Sequence, residues 1–191
     1  MDTVIQKAKE FIKDVFLKTD KAHDYTHALR VYENAVMLLK QFDNANCEVV
    51  LLCALLHDVD DKKLSTEGKM LDKWFLQYPS QYENEIRTVI SEVSFSKNVS
   101  ATTLEAQIVQ DADRLDAIGA IGIARVFTYG GSIGRPIYSD TEPSSLSHFD
   151  EKLFKIKEKM NTDIGREIAA GRELYMKDFI NQFWQEVGGK R

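Results

Sequence analysis

Eight consecutive apolar residues, 49–56, run directly into His57-Asp58 and then to a stretch ending at Lys63 that is polar except for Val59. Apolar on every side, this stretch predicts a helix over residues 47–57 that is enclosed by its neighbours rather than laid on a surface. It is far too short to cross a bilayer. The rest of the chain must therefore supply the elements that bury it. Val4, Ala8, Phe11, Ile12 and Val15 recur at helical spacing and mark an opening helix. Ala28, Val31, Ala35, Leu38, Leu39 and Phe42 mark a second over residues 25–42. Further helices are expected over 66–78, over 80–93 with Ser80-Gln81-Tyr82-Glu83 as a capping box, and over 103–127. Between 128 and 147 the residues Gly130, Gly131, Gly134, Pro136 and Pro143 interrupt the pattern and predict one long loop. Ser147-His148-Phe149-Asp150 then opens a helical stretch to Met160, and a last helix carries Ile164, Ile168, Leu174, Phe179, Phe183, Trp184 and Val187. No stretch alternates like a strand, and no repeat, linker or charge block divides the chain. The expectation is an all-α helical bundle, a single domain over residues 1–191 with the loop as an insertion.

A chain of 191 residues can bury a core without disulfides or a metal as staples. With 30 acidic against 25 basic residues it lacks the overall positive field that non-specific nucleic-acid binding exploits. The N-terminal MDTVIQKAKE has no apolar core of a secretory signal. These features predict a soluble, cytoplasmic protein with neither nucleic acid nor membrane as partner. Cys47 and Cys53 lie in or beside the apolar run and read as buried reduced thiols rather than a thiolate metal site. Trp74, Phe75, Phe179, Phe183 and Trp184 fall at helical spacing and read as core rather than as platforms for a base.

Three clusters depart from this ordinary helical pattern: His23-Asp24-Tyr25-Thr26-His27, the stretch from His57-Asp58 through Asp60, Asp61, Lys62 and Lys63, and Asp111-Ala112-Asp113-Arg114-Leu115-Asp116. Each falls at or near an expected helix end, and together they hold three of the four histidines. Histidine with aspartate is a donor set that suits a divalent first-row metal. His57 and Asp58 leave a buried helix and are costly to bury unpaired. Neighbours on a helix point about 100° apart, so one ion can take both only where the helix bends or ends.

The segments His-Asp-Tyr-Thr-His-Ala-Leu-Arg-Val (23–31), Ala-Leu-Leu-His-Asp-Val-Asp-Asp-Lys (54–62) and Gln-Asp-Ala-Asp-Arg-Leu-Asp-Ala-Ile-Gly-Ala (110–120) stand in that order with helical sequence between them. In this the chain resembles the HD-domain phosphohydrolase superfamily, and within it the small bacterial stand-alone members. The resemblance reaches Gly-Gly-Ser-Ile-Gly-Arg-Pro-Ile (130–137) and the final helix. It implies that His27, His57, Asp58 and Asp113 ligate one divalent ion, such as manganese, cobalt, nickel, iron or magnesium. Asp113 is preferred to Asp111 because it matches the aspartate before Arg-Leu, which leaves Asp111 to support a ligand from behind. One ion is expected because only His23 and His148 remain, whereas two-metal members use further histidines. The resemblance also implies that Asp61 orients or deprotonates the attacking water, with Asp60 as its substitute, and that His23 reaches the same pocket. Arg114 and Lys62 would stabilise the reacting phosphate, while Arg30, Lys63 and Arg135 would bind substrate, Arg135 by closing over it. The implied reaction is hydrolysis of a phosphate ester or phosphoanhydride of a phosphorylated small molecule, foremost a nucleotide, by metal-activated water. The alternative is a metal-bound nucleotide-sensing or scaffolding module without turnover. Self-association is left open, a homodimer included.

Overall fold

The computed structural model of the chain describes residues 2–16, 25–60, 69–93 and 99–188. These form α1 (Asp2–Phe16), α2 (Tyr25–Leu39), α3 (Cys47–Leu56), α4 (Met70–Gln77), α5 (Glu83–Val93), α6 (Leu104–Asp116), α7 (Gly119–Ser132), α8 (Ser147–Glu151) and α9 (Asp163–Glu186). Two short 3-10 turns, Leu153–Lys155 and Lys157–Lys159, follow α8, and no strand occurs among the described residues. The fold is all-α. No described helix is long and apolar enough to cross a membrane. The chain forms two compact units, residues 1–113 and 114–191.

In the first unit every residue of α3 from Val49 to Leu56 is buried, and α1, α2 and α5 pack against that helix. Asn46 starts it, its side-chain oxygen accepting from the Val49 N–H at 3.3 Å while its own N–H donates to Glu105 Oε1 at 2.9 Å. Trp74 of α4 is fully buried, with its ring edge-on to Phe11 of α1 at 5.4 Å. The thiols separate: Cys53 is buried, with Sγ 3.7 Å from the Ile86 carbonyl, but Cys47 is exposed. Cys47 is the first residue of α3, two positions before the enclosed part of the helix begins at Val49. The capping box also differs from expectation. Ser80 Oγ accepts from the Tyr82 N–H, the helix begins at Glu83, and the Glu83 carboxylate pairs with Arg87 one turn on instead of reaching back.

In the second unit α7 packs on α9, and Phe149 of α8 is buried beside Phe127 and Phe179. The single helix expected over 103–127 is broken into α6 and α7. The break centres on Gly119, whose φ of 76° is a left-handed conformation that a side chain would strain. The long loop is shorter than expected, because α7 continues through Gly130 and Gly131 and ends at Ser132. At Gly130 the missing side chain admits a neighbour: a Cβ there would collide with Ser145 Oγ. That glycine serves packing rather than helix termination. The helical stretch expected from Ser147 to Met160 shortens to α8 and the two 3-10 turns. On α9 the buried positions are Gly165, Ala169, Glu173 and Met176, so Leu174 faces outward at 62% exposure instead of joining the core.

Glu173 is the charged residue in that buried row. Lys157 Nζ lies 3.0 Å from its Oε2 and the Lys177 ammonium donates to its Oε1. Burial pushes its carboxyl up, but hydrogen bonds and charge from Lys177 and Lys157 outweigh this and hold it below its ordinary 4.5. A carboxyl lowered by folding stabilises the folded state above its unfolded pKa, and that contribution disappears as pH falls through the lower, folded value. Glu173→Gln is therefore expected to cost about 1 kcal/mol at pH 7, a figure reduced for the solvent reached by both lysines. The cost should begin to shrink as pH falls below 4.5 and vanish below the lower, folded value, which denaturation curves of both proteins at pH 7 and through the acid range would check.

Candidate metal centre

The end of α3 explains how two adjacent residues meet one point. The helix stops at Leu56, and residues 57–60 form a turn that brings His57 and Asp58 to the same side. His27 arrives from the first turn of α2 and Asp113 from the last turn of α6. His27 Nε2 lies 3.4 Å from Asp113 Oδ1 and 3.6 Å from Asp58 Oδ2. His57 Nε2 lies 3.4 Å from Asp58 Oδ2 and 3.9 Å from Asp113 Oδ1. The two imidazole centroids are 5.5 Å apart.

A carbonyl oxygen can only accept, so the 3.0 Å contact between His57 Nδ1 and the Ala54 carbonyl places a proton on Nδ1. In the neutral ring Nε2 then carries the lone pair. That atom is buried with no hydrogen-bond partner, and it faces two carboxylate oxygens. A buried lone pair beside converging negative charge is unfavourable unless a cation fills the gap between them. The spacing suits one. Donors about 2.1 Å from a shared ion stand about 3.0 Å apart at right angles and about 4.2 Å apart when opposed, which brackets the observed separations. Among the described residues, His27, His57 and Asp113 form a group able to hold a metal ion, their donor atoms all within 4.8 Å of one another.

Asp111 is fully buried and does not join this group. Two residues apart on a helix means about 200° of rotation, which separates it from Asp113. Asp60 has a different role from the one expected of a substitute base. Its Oδ1 accepts from the Met70 N–H at 2.6 Å and the Leu71 N–H at 3.4 Å, capping α4. Arg30 donates to Thr26 Oγ1 at 2.8 Å on the same helix. In the second unit, the Arg114 guanidinium donates to the Lys159 carbonyl, and Arg135 lies 5.9 Å from the Tyr129 ring centroid. His23, Asp61, Lys62 and Lys63 lie outside the described residues.

One supporting residue escaped the reading of the sequence. Asn34 is buried on α2, and its Nδ2 donates to the Ala112 carbonyl at 3.0 Å, tying α2 to α6 next to Asp113. The signal was present: an amide seven residues after His27, on the same helix face, set among Val31, Ala35 and Leu38.

A family model described as the HD domain matches residues 24–118, the span that contains all four converging side chains. The chain belongs to the HD-domain superfamily. This HD-domain chain is 31% identical over 194 residues to the YpgQ protein of Bacillus subtilis, covering 96% of the chain and 94% of YpgQ. The crystal structure of YpgQ in complex with ADP superposes with a TM-score of 0.82 at 30% identity, covering 98% of this HD-domain chain and 96% of that one. An HD-superfamily hydrolase from Bacillus thuringiensis is 38% identical, with 97% of each chain covered and a TM-score of 0.82.

Proposed function

We propose that this HD-domain protein is a metal-dependent phosphohydrolase that cleaves a phosphate ester or phosphoanhydride, with a nucleotide as substrate. The observation that carries this reading is the buried, unpartnered His57 Nε2 facing His27, Asp58 and Asp113 across separations suited to one ion. His27, His57, Asp58 and Asp113 would hold a divalent ion, which would supply Lewis-acid polarisation of a phosphoryl oxygen and a more acidic water. The chain's own contribution begins with alignment. The Ala54 carbonyl fixes the His57 tautomer, and Asn34 fixes α6 against α2, so the donors are held before anything binds. Asp61 holds or removes the proton of the attacking water, and His23 assists it. Arg30, Arg114, Lys62 and Lys63 neutralise the non-bridging phosphate oxygens. The ADP complex of YpgQ supports a nucleotide as the ligand class.

That same complex favours a second reading, a module that binds a nucleotide without turning it over. Turnover separates the two. Protein stripped of metal, then supplied with manganese, cobalt, nickel, iron or magnesium, is expected to release phosphate or pyrophosphate from at least one member of a nucleotide panel. Metal-loaded protein that binds nucleotides but leaves every one intact would establish the sensing module instead.

A further inference from the structure

In the first unit a cavity of about 550 Å³ is lined by residues of α1, α3, α4 and the connector that follows α4. Proline explains its rim. Pro79 cannot continue a helix and disfavours a helical residue before it, so α4 stops at Gln77 and Tyr78 leaves the helix at φ −132° and ψ 74°. The Tyr78 ring lies against Trp74, centroid to centroid 4.5 Å, and Trp74 is itself edge-on to Phe11. Ser80 Oγ then accepts from the Tyr82 N–H at 3.1 Å, which fixes the connector as it turns into α5. Leu52 of α3 and Trp74, both fully buried, supply apolar lining. Two opposite charges share the same cavity, Lys7 of α1 and Glu48 of α3. Lys7 Nζ stands 5.0 Å from the Tyr78 ring centroid, and among the described residues neither Lys7 nor Glu48 forms an ion pair. Trp74 and Lys7 thus occupy the Tyr78 ring, which leaves a nucleobase little of it to stack on. Glu48 precedes His57 by nine residues, about 14 Å along the axis at 1.5 Å per residue, so the cavity and the metal centre lie at opposite ends of α3. The volume falls in the range of small-molecule sites, about 300–1,000 Å³. An anion alone would face Glu48 there, and a cation alone would face Lys7. A ligand carrying both charges and an apolar body satisfies the whole lining.

We propose that this cavity binds a zwitterionic amino acid with an apolar side chain, its carboxylate on Lys7, its ammonium on Glu48 and its side chain on Leu52 and Trp74. The site is independent of the reaction at the metal centre. Trp74 is the reporter. In Trp184→Phe it is the single tryptophan of the protein, and its fluorescence is read in titrations of the full chain with L-leucine, L-methionine and L-phenylalanine. At least one of the three is expected to give a saturable change. Lys7→Gln and Glu48→Gln in that background should each raise its Kd about tenfold, the scale of losing one charge-assisted hydrogen bond, with thermal midpoints close to that of the parent. Blocked forms of the same amino acid assign each charge. The N-acetyl derivative, which lacks the ammonium, should bind about tenfold more weakly and be insensitive to Glu48→Gln. The amide, which lacks the carboxylate, should be insensitive to Lys7→Gln. In Asp113→Asn the response should persist; its loss there would place the ligand at the metal centre and sink the site. No saturable change with any of the three amino acids would overturn the proposal. So would equal affinity for free and blocked forms, which is apolar burial without recognition of charge.

Discussion

Asp58→Ala is expected to abolish metal binding and to lower turnover at least about a thousandfold, the rate equivalent of about 4 kcal/mol of transition-state stabilisation. The reason lies in the balance of charge. Asp58 Oδ2 stands within 3.6 Å of both imidazole nitrogens, and with it goes one of the two carboxylates that compensate a divalent ion. Stability supplies an independent sign. Without metal, two carboxylate oxygens and a buried lone pair face one another, so removing one carboxylate should leave the metal-free protein at least as stable as wild type. With metal, wild type should gain about 2.7 kcal/mol at a hundredfold excess over Kd, while Asp58→Ala gains nothing. Metal affinity measured by calorimetry also separates the two candidate aspartates of α6. Asp113→Asn should lose more affinity than Asp111→Asn, because Asp113 Oδ1 lies 3.4 Å from His27 Nε2 whereas Asp111 is buried away from the group. The reverse order would overturn the assignment of Asp113.

What the sequence revealed about this site follows from where its residues sit. Residues 49–56 are apolar all round, which by itself places the following His57 and Asp58 at the end of an enclosed helix. Helical periodicity also marked out α1 and α2, since their apolar stripes are unbroken. Periodicity misled where glycine serves packing. At Gly130 a neighbouring serine takes the space of a side chain and the helix runs on, while at Gly119 a positive φ breaks what reads as one continuous helix. Leu174 faces outward although the apolar pattern included it, while its neighbour Glu173 is buried: two lysines make a buried glutamate tolerable, and no hydrophobic pattern records that pairing. Asp60 was legible as an acidic group near the metal motif. Its bond to the start of α4, ten residues on, depends on a turn that spacing alone does not define.

The enclosed helix α3 is also where a single apolar substitution should cost most. Leu55 is fully buried in α3, whereas Leu76 on α4 is 85% exposed. Leu55→Ala removes transfer energy and leaves a cavity that the surrounding helices fill only in part, so it is expected to cost about 3 kcal/mol. For a chain of this length that is a fall of about 6–12 °C in thermal midpoint. Leu76→Ala, with nothing to repack, should stay within about 0.5 kcal/mol of wild type. The two substitutions delete the same atoms, so their difference isolates burial from composition. Because α3 ends at the residue before His57, loosening it also loosens the donors, and Leu55→Ala should weaken metal binding without touching a ligand. Denaturation with and without metal checks both effects. Equal costs for Leu55→Ala and Leu76→Ala would mean that α3 is not the enclosed centre of its unit, and the placement of His57 and Asp58 at its end would lose its physical basis.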